Sequence, residues 1–456
     1  MLVSSAGYEK RRVYLAVACL FLYGACLVVL LPRLSFWQDE VYDLIGARQR
    51  TLSGLLQYVR RTPGAVPLGY LIQATVIKIL GFSVFSARLP SVVSSLAGSL
   101  GIFWLARLSG VSSSLLAAVA FAVCPLQLRY ALEARSYAIA LALSVYASVL
   151  FLLLLRQPRP IGLLLLYGVC ITAGIYTQPF SLFVPVAHLA WLCLLSDEWK
   201  RRRGLIVSVS IIILASALSF LPWYLYSSDL WKQSITTYHL HGAVTFRSLL
   251  LVLHEFVGMG YLGTAIVLSG VIVALISVKI RRADLAFCVL YIIVPVIGGL
   301  AVDRSFGYFV AIRQFLCVIA PVALVVAISF ETGTRTGIAL AIAFIFVGLW
   351  NDVKLFTRPR EDWQSAASVL MLEAKRGACI LFAPAESIDL YTFFQPELSG
   401  YQCTGNFEQR DRVTIAVSPS DVERSQLNLE RHLAEHGFHR VGDLNATMPR
   451  LEEFQR

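Results

Sequence analysis

Charge is scarce in this chain. Of its 456 residues, 15% are charged and 57% are hydrophobic, where a soluble domain carries about 25% charged residues. Mean hydropathy is +0.70. These values exclude a soluble globular protein and leave a polytopic membrane protein. Zinc signatures are missing as well: neither CxxC nor HExxH occurs. Internal repeats and low-complexity tracts are absent. No cleavable signal peptide is evident, because the first apolar run, Val13 to Leu31, is long enough to span; about 20 residues cross a bilayer.

The formal net charge is +11. It does not point to nucleic acid, which selects a basic face on a polar domain. Here the basic residues fall in short clusters between apolar runs, as topology by positive-inside charge requires. The nine cysteines form no framework. Cys19, Cys26, Cys124, Cys170, Cys193, Cys288 and Cys317 lie in apolar runs and read as small core residues. Cys379 and Cys403 lie in the polar tail. Two free thiols is the expectation there, with a disulfide open to them if the tail is extracytoplasmic.

Apolar length and flanking charge predict about eleven spans, near 13–31, 88–106, 112–126, 137–155, 161–177, 180–195, 204–225, 261–278, 284–301, 313–330 and 337–350. Lys10-Arg11-Arg12, Arg107, Arg156 with Arg159, Lys200 to Arg203, Lys279 to Arg282, and Arg335 fall at every second connection. That side is cytoplasmic, with the N-terminus. The other side receives 32–87, 127–136, Gln178-Pro179, 226–260, 302–312 and everything after 351. Val66 to Leu80 is apolar but too short to span, and counting it as a span reverses every later cluster. It is expected as an amphipathic juxtamembrane helix. Arg48, Arg50, Arg60, Arg61 and Arg88 then sit outside, as headgroup ligands or as a phosphate-binding rim.

The fold class expected is therefore an all-α polytopic membrane protein with a small C-terminal extracytoplasmic α/β domain. Residues 1–350 form the membrane module, with 32–87 as an external loop, and 351–456 form the tail domain. In the tail, Glu361 to Glu373 has helical spacing, while 378–383 and 413–417 read as short buried strands.

Chemistry is concentrated on the outer side. Asp39 and Glu40 follow the first span in LSFWQDEVYD. Carboxylates at a membrane face are costly and are functional candidates by default. On a helix their side chains diverge by about 100°, whereas Asp39 and Asp43 share a face. The plainer reading of Asp39 is a helix N-cap. In QLRYALEARSY, Tyr130, Glu133 and Tyr137 line one stripe if the segment is helical, flanked by Arg129 and Arg135. That pattern suits a phosphate or a sugar, or else a headgroup-level aromatic belt. Arg313 opens a span, either snorkelling or taking charge on a phosphate. His239 and His241, with His254 and Glu255 later, fix no third metal ligand by spacing.

At these residues the chain resembles the polyprenyl-phosphate-sugar-dependent glycosyltransferases of GT-C fold, in the protein O-mannosyltransferase-like branch that includes the lipid A aminoarabinose transferase. The resemblance rests on the order of several motifs. These are Trp37-Gln38-Asp39-Glu40, then Val66 to Tyr70 with Gly81 and Ala87 to Pro90, then Tyr130 with Glu133 to Tyr137, then Arg313 with Pro321, and finally Glu361-Asp362-Trp363. It implies an inverting glycosyltransferase of the bacterial inner membrane acting on its extracytoplasmic face. The donor is a polyprenyl-phosphate sugar and the acceptor a glycan, lipid or protein. It implies Asp39 and Glu40 as the catalytic carboxylates, with Asp39 as general base and Glu40 in support. Arg88, Tyr70, Tyr130, Glu133, Arg135, Tyr137 and Arg313 would contact donor phosphate and sugar. Tyr70 stands where some relatives carry a lysine, so phosphate binding must rest on arginines. Gln178 stands where some read histidine, and no divalent cation or other cofactor is indicated. The rival classes are a transporter or flippase of lipid-linked saccharides and a non-catalytic envelope scaffold. The absence of repeats and the one-sided placement of ionisable residues favour the enzyme.

Overall fold

The computed structural model describes every residue except 1–2, 157–160, 195–198, 238–243, 307–310, 358–359, 404–409, 420–423 and 446–447. Arg159, His239 and His241 lie outside the described residues. The chain divides into two compact units, Met1–Leu31 with Gly46–Leu355, and Pro32–Ile45 with Phe356–Arg456. Each is described by itself.

Among its described residues the first unit has helices and connecting turns and no strand. Among the described residues, seven helices are long and apolar enough to cross a membrane, and two further pairs qualify if each bent pair is one span. The eleven expected spans all fall on helix. The difference in number comes from Ile161–Thr177 and from the Pro179–Leu194 stretch, which are apolar but short. The bends have local causes. Between Ser114–Ala122 and Pro125–Ala131 the chain turns by 63°, at a proline that lacks the N–H needed to continue a helix. Between Phe246–Glu255 and Gly260–Ile276 it turns by 81°. Gly258 and Gly260 there adopt φ of +74° and +65°, which glycine reaches without steric cost. The two bends meet: a Cβ on Gly258 would stand 3.1 Å from Pro125 Cβ.

Small residues let the central helices approach closely, as lipid-embedded packing requires. Val84–Leu108 packs along Tyr137–Arg156, where a Cβ on Gly101 would come within 2.7 Å of Val145. Ile319–Glu331 is apolar on all sides and buried from Ile319 to Ser329, the expected place for a helix without a polar face. His188 sits in this core. Its Nδ1 is 3.0 Å from the Tyr167 hydroxyl and its Nε2 3.0 Å from Ser148 Oγ, while its ring stacks on Phe151 at 4.4 Å. Both ring nitrogens are occupied, so the residue serves the fold.

The second unit carries a four-stranded mixed sheet. Its strands are β1 (Cys379–Ala383), β2 (Arg412–Val417), β3 (His439–Asp443) and β4 (Arg450–Gln455), in the order β1-β2-β4-β3. β1 and β2 run parallel; β4 is antiparallel to both its neighbours. The helices Trp363–Lys375 and Arg424–Glu435 belong to the same unit. Asp362 caps the first, accepting from the Ser365 N–H at 3.1 Å. Cys379 and Cys403 are joined as a disulfide with Cα atoms 5.6 Å apart. This corrects the expectation of two free thiols: the Cys403 N–H bonds to the Ile380 carbonyl and so brings the thiols together, a proximity invisible in the sequence.

The disulfide closes a separation of 24 residues. Opening it by Cys403→Ser should lower the stability of the full chain by about 3 kcal/mol on the loop-entropy scale, read as a fall in the melting temperature in detergent. An unchanged melting temperature would mean that the bond contributes nothing.

Candidate active site

The segment 124–137 builds one wall of the site. Pro125 starts a short helix that ends at Ala131, the chain turns through 132–136, and a new helix opens at Tyr137. The expected continuous helical stripe is therefore broken. The turn nonetheless brings Tyr130 and Tyr137 together, their rings edge to face at 4.9 Å. Polar bonds from other helices fix its backbone. Gln73 Nε2 donates to the Ala134 carbonyl at 3.0 Å and Ser91 Oγ to that of Arg135 at 2.9 Å, while from the turn itself Ser136 Oγ donates to the Thr177 carbonyl at 3.2 Å. Gly69 lets this turn seat, since a Cβ there would lie 2.4 Å from Ser136 Cβ.

Charge in the turn is arranged by burial. Glu133 is fully enclosed and accepts from Arg129 Nε at 3.0 Å, while Arg129 keeps 41% of its side chain exposed. Arg135 is half-buried, its guanidinium 4.9 Å above the Tyr137 ring, a distance at which cation and ring attract. Arg313 enters from the Ile312–Val318 turn of 3-10 helix. It lies within charge range of the Tyr130 hydroxyl. Arg313, Gln314, Tyr137, Ser144, Gln178 and Ser181 line a narrow cavity of about 10 Å³, room for one water. A half-buried guanidinium beside phenol, hydroxyl and amide groups can bind a phosphate and orient a sugar.

Asp303 was not singled out by sequence reasoning, although it is a lone acid at the end of an apolar span. It is buried, and its Oδ1 accepts from Gln314 Nε2 at 3.0 Å. Gln314 Oε1 in turn accepts from the Ala311 N–H at 3.1 Å. The pair fixes the turn that carries Arg313.

Five of the expected donor contacts, Tyr70, Arg88, Tyr130, Glu133 and Tyr137, are buried, and Arg135 and Arg313 are half-buried. Arg88 is fully buried and donates to the Leu31 carbonyl at 2.9 Å, holding the end of the first span. The guanidinium is thus enclosed at the end of that span rather than on an open rim. Tyr70 is likewise buried, packed with Leu55, Val59, Val66 and Trp223. Asp39 and Glu40 belong to the second unit, on the Gln38–Ala47 helix. Asp39 is half-buried at the second helical position, not at the cap. Glu40 is fully buried, accepting from the Trp37 N–H at 3.3 Å and facing Arg360 at 3.4 Å. Among the described residues no group of three or more His, Cys, Asp or Glu side chains gathers; His254 instead meets Glu255 at 2.7 Å.

Residues 62–223 match the family model described as dolichyl-phosphate-mannose-protein mannosyltransferase. That stretch holds Tyr130, Glu133, Arg135 and Tyr137, but neither Asp39 nor Arg313. Comparison with curated protein sequences gives no match. By fold, the chain is similar to ArnT from Cupriavidus metallidurans over 98% of both chains. The apo structure gives 13% identity and a TM-score of 0.57, and the structure bound to undecaprenyl phosphate gives 12% and 0.58. It is also similar to the Archaeoglobus fulgidus oligosaccharyltransferase, over 78% of this chain and 55% of that one, at 13% identity and a TM-score of 0.51. The fold is similar to that of ArnT along nearly the whole chain.

The buried pair at the turn is open to a direct test. Arg129→Met leaves the Glu133 charge enclosed and should destabilise the chain by about 2 kcal/mol, below the range for fully buried pairs because Arg129 is partly wet. Adding Glu133→Gln should recover most of that loss in a thermal melt. Additive losses would mean that the two side chains are not coupled.

Proposed function

We propose that this chain, a glycosyltransferase of GT-C fold, moves a monosaccharide from a polyprenyl-phosphate carrier to an acceptor on the extracytoplasmic face of the bacterial inner membrane. The observation that carries the reading is the pair of half-buried arginines, Arg135 on the Tyr137 ring and Arg313 on its 3-10 turn, in a fold similar to that of ArnT, which has been seen bound to undecaprenyl phosphate. The acceptor is a glycan, a lipid or a protein. The alternation of basic connections supports the sidedness, with the N-terminus cytoplasmic. The Cys379–Cys403 disulfide supports an extracytoplasmic tail, since such bonds persist in oxidising compartments.

The reaction is a single displacement. The acceptor hydroxyl oxygen attacks the anomeric carbon, its proton passes to the Asp39 carboxylate, and the bond from that carbon to the phosphate oxygen breaks. Polyprenyl phosphate departs with the electron pair, and the configuration inverts. Arg313 and Arg135 take up the charge that grows on the leaving phosphate, a stabilisation made only in the transition state. Tyr130 and Tyr137 form the aromatic wall against which the donor is oriented. The assignment of Asp39 rests on the motif resemblance at Trp37 to Glu40 and on its half-exposed place in the first turn of a helix.

The test uses the purified protein in nanodiscs with a panel of radiolabelled polyprenyl-phosphate sugars and cell-envelope extract. Wild type should move label from lipid to a polar acceptor. Asp39→Asn should slow transfer by about 10²–10⁴-fold, the usual worth of a positioned base, with donor still bound. Arg313→Ala should lower turnover by roughly 10²-fold. If the wild type leaves every donor intact but carries it across a liposome bilayer, the chain is a transporter and the enzymatic reading fails.

A further inference from the structure

The second unit takes up Pro32–Ile45 together with the tail, and the bonds that bind the two pieces converge on the first turn of one helix. A helix begins with N–H groups that lack intrahelical acceptors. In the Gln38–Ala47 helix two of these are answered by carboxylates. Glu40 reaches back to the Trp37 N–H at 3.3 Å, and Glu361, from the far end of the chain, accepts the Gln38 N–H at 2.6 Å. Glu361 is itself fixed, because the same oxygen accepts from the Trp363 indole at 2.8 Å. Trp363 is fully buried, its ring 5.1 Å from that of Tyr391. The neighbouring Arg360 meets the enclosed Glu40 at 3.4 Å. Phe36 adds an apolar contact, its ring 6.4 Å from Phe394. Asp39 therefore lies between two residues whose positions are set by the tail.

We propose that Arg360 and Glu361 are positioning residues for Asp39, and that the C-terminal unit works as the scaffold of the general base. The proposal rests on the reading of Asp39 given above, but the hold itself is a structural claim and is measurable without turnover. Displacing a catalytic group by about 1 Å can cost 10²-fold in rate, so two bonds at the first turn are enough to matter. The assignment also gives the Glu361-Asp362-Trp363 motif a physical task. Glu361 tethers the early helix, Asp362 caps the next one, and Trp363 anchors Glu361.

The experiment compares full-length wild type, Glu361→Ala, Glu361→Gln, Arg360→Ala and Asp39→Asn in nanodiscs. Arg412→Ala is the control for general loosening, since Arg412 pairs with Glu373 and Glu453 on the sheet of the same unit. Three quantities are read: hydrogen exchange of the peptide covering 36–43, equilibrium binding of the labelled lipid donor, and transfer rate. In Glu361→Ala, exchange of 36–43 should rise about tenfold, as expected when a tethered segment opens locally. Turnover should fall by roughly 10–10²-fold, with donor affinity unchanged. Arg360→Ala should act in the same direction. Glu361→Gln retains an acceptor for the Gln38 N–H and should recover most of both effects. Asp39→Asn should slow transfer by about 10²–10⁴-fold while leaving exchange as in wild type. Unchanged exchange in Glu361→Ala overturns the proposal, and so does an equal rise in Arg412→Ala. Wild-type exchange with an active Asp39→Asn removes both readings. Raised exchange with an active Asp39→Asn keeps the tether and removes only the base.

Discussion

A charge taken out of water must be met by a partner, and in this chain that requirement fixes what hydrophobicity leaves open. The cost of an unpaired buried charge is several kcal/mol. Lipid tails are as apolar as leucine, so burial of leucine does not choose between one helix packing and another inside a membrane. Close-fitting glycines such as Gly69 and Gly101 supply part of the choice. The remainder falls to a few enclosed charges. Glu133 needs Arg129, and the pair fixes the turn between two helices. Arg88 needs the Leu31 carbonyl, and so ties the end of the first span to the start of the second. Glu40 needs Arg360, more than three hundred residues later in the chain.

The same requirement separates residues that look equivalent in sequence. Asp39 and Glu40 are adjacent acids, yet a helix turns their side chains about 100° apart. Glu40 is drawn inward, where it closes the first turn and meets Arg360. Asp39 keeps partial exposure. Arginines divide in the same way. Arg88 is enclosed, whereas Arg135 and Arg313 stay half-buried, a position in which a guanidinium keeps its charge for a ligand while weakened solvent screening makes that charge count for more.

Much of this was legible before any coordinates. Apolar length and charge alternation marked each long helix, because the bilayer fixes both. The break at 132–136 was not, since a proline bend and a turn preserve the spacing of Tyr130 and Tyr137 while replacing the helix that the spacing suggested. In the tail, β1 and β2 were visible as apolar runs. β3, reading His-Arg-Val-Gly-Asp, is largely exposed and polar, and gave no strand pattern. The Cys379–Cys403 bond and the tether from Glu361 to Gln38 are long-range contacts, and a single sequence carries no trace of their distance. Arg88 and Tyr70 are expected at the donor from the motif resemblance, and nothing in the sequence tells that one would lie buried on the Leu31 carbonyl and the other against Trp223.

Preorganisation gives a physical reason for the supports around Arg313 and Arg135 under the proposed reaction. A cation stabilises a leaving phosphate best when its position is set before the reaction, because no reorganisation is then needed as charge develops. A long arginine side chain does not supply that by itself, since its rotamers are costly to fix. Here the fixing is done by the backbone. Asp303 orients Gln314, Gln314 accepts from the Ala311 N–H, and the short turn that results presents Arg313. Arg135 is restrained differently, by the Tyr137 ring below it and by Ser91 on its carbonyl. The two cations thus reach half-buried positions through different supports, one through a side-chain pair at a 3-10 turn and the other through an aromatic face and a backbone carbonyl.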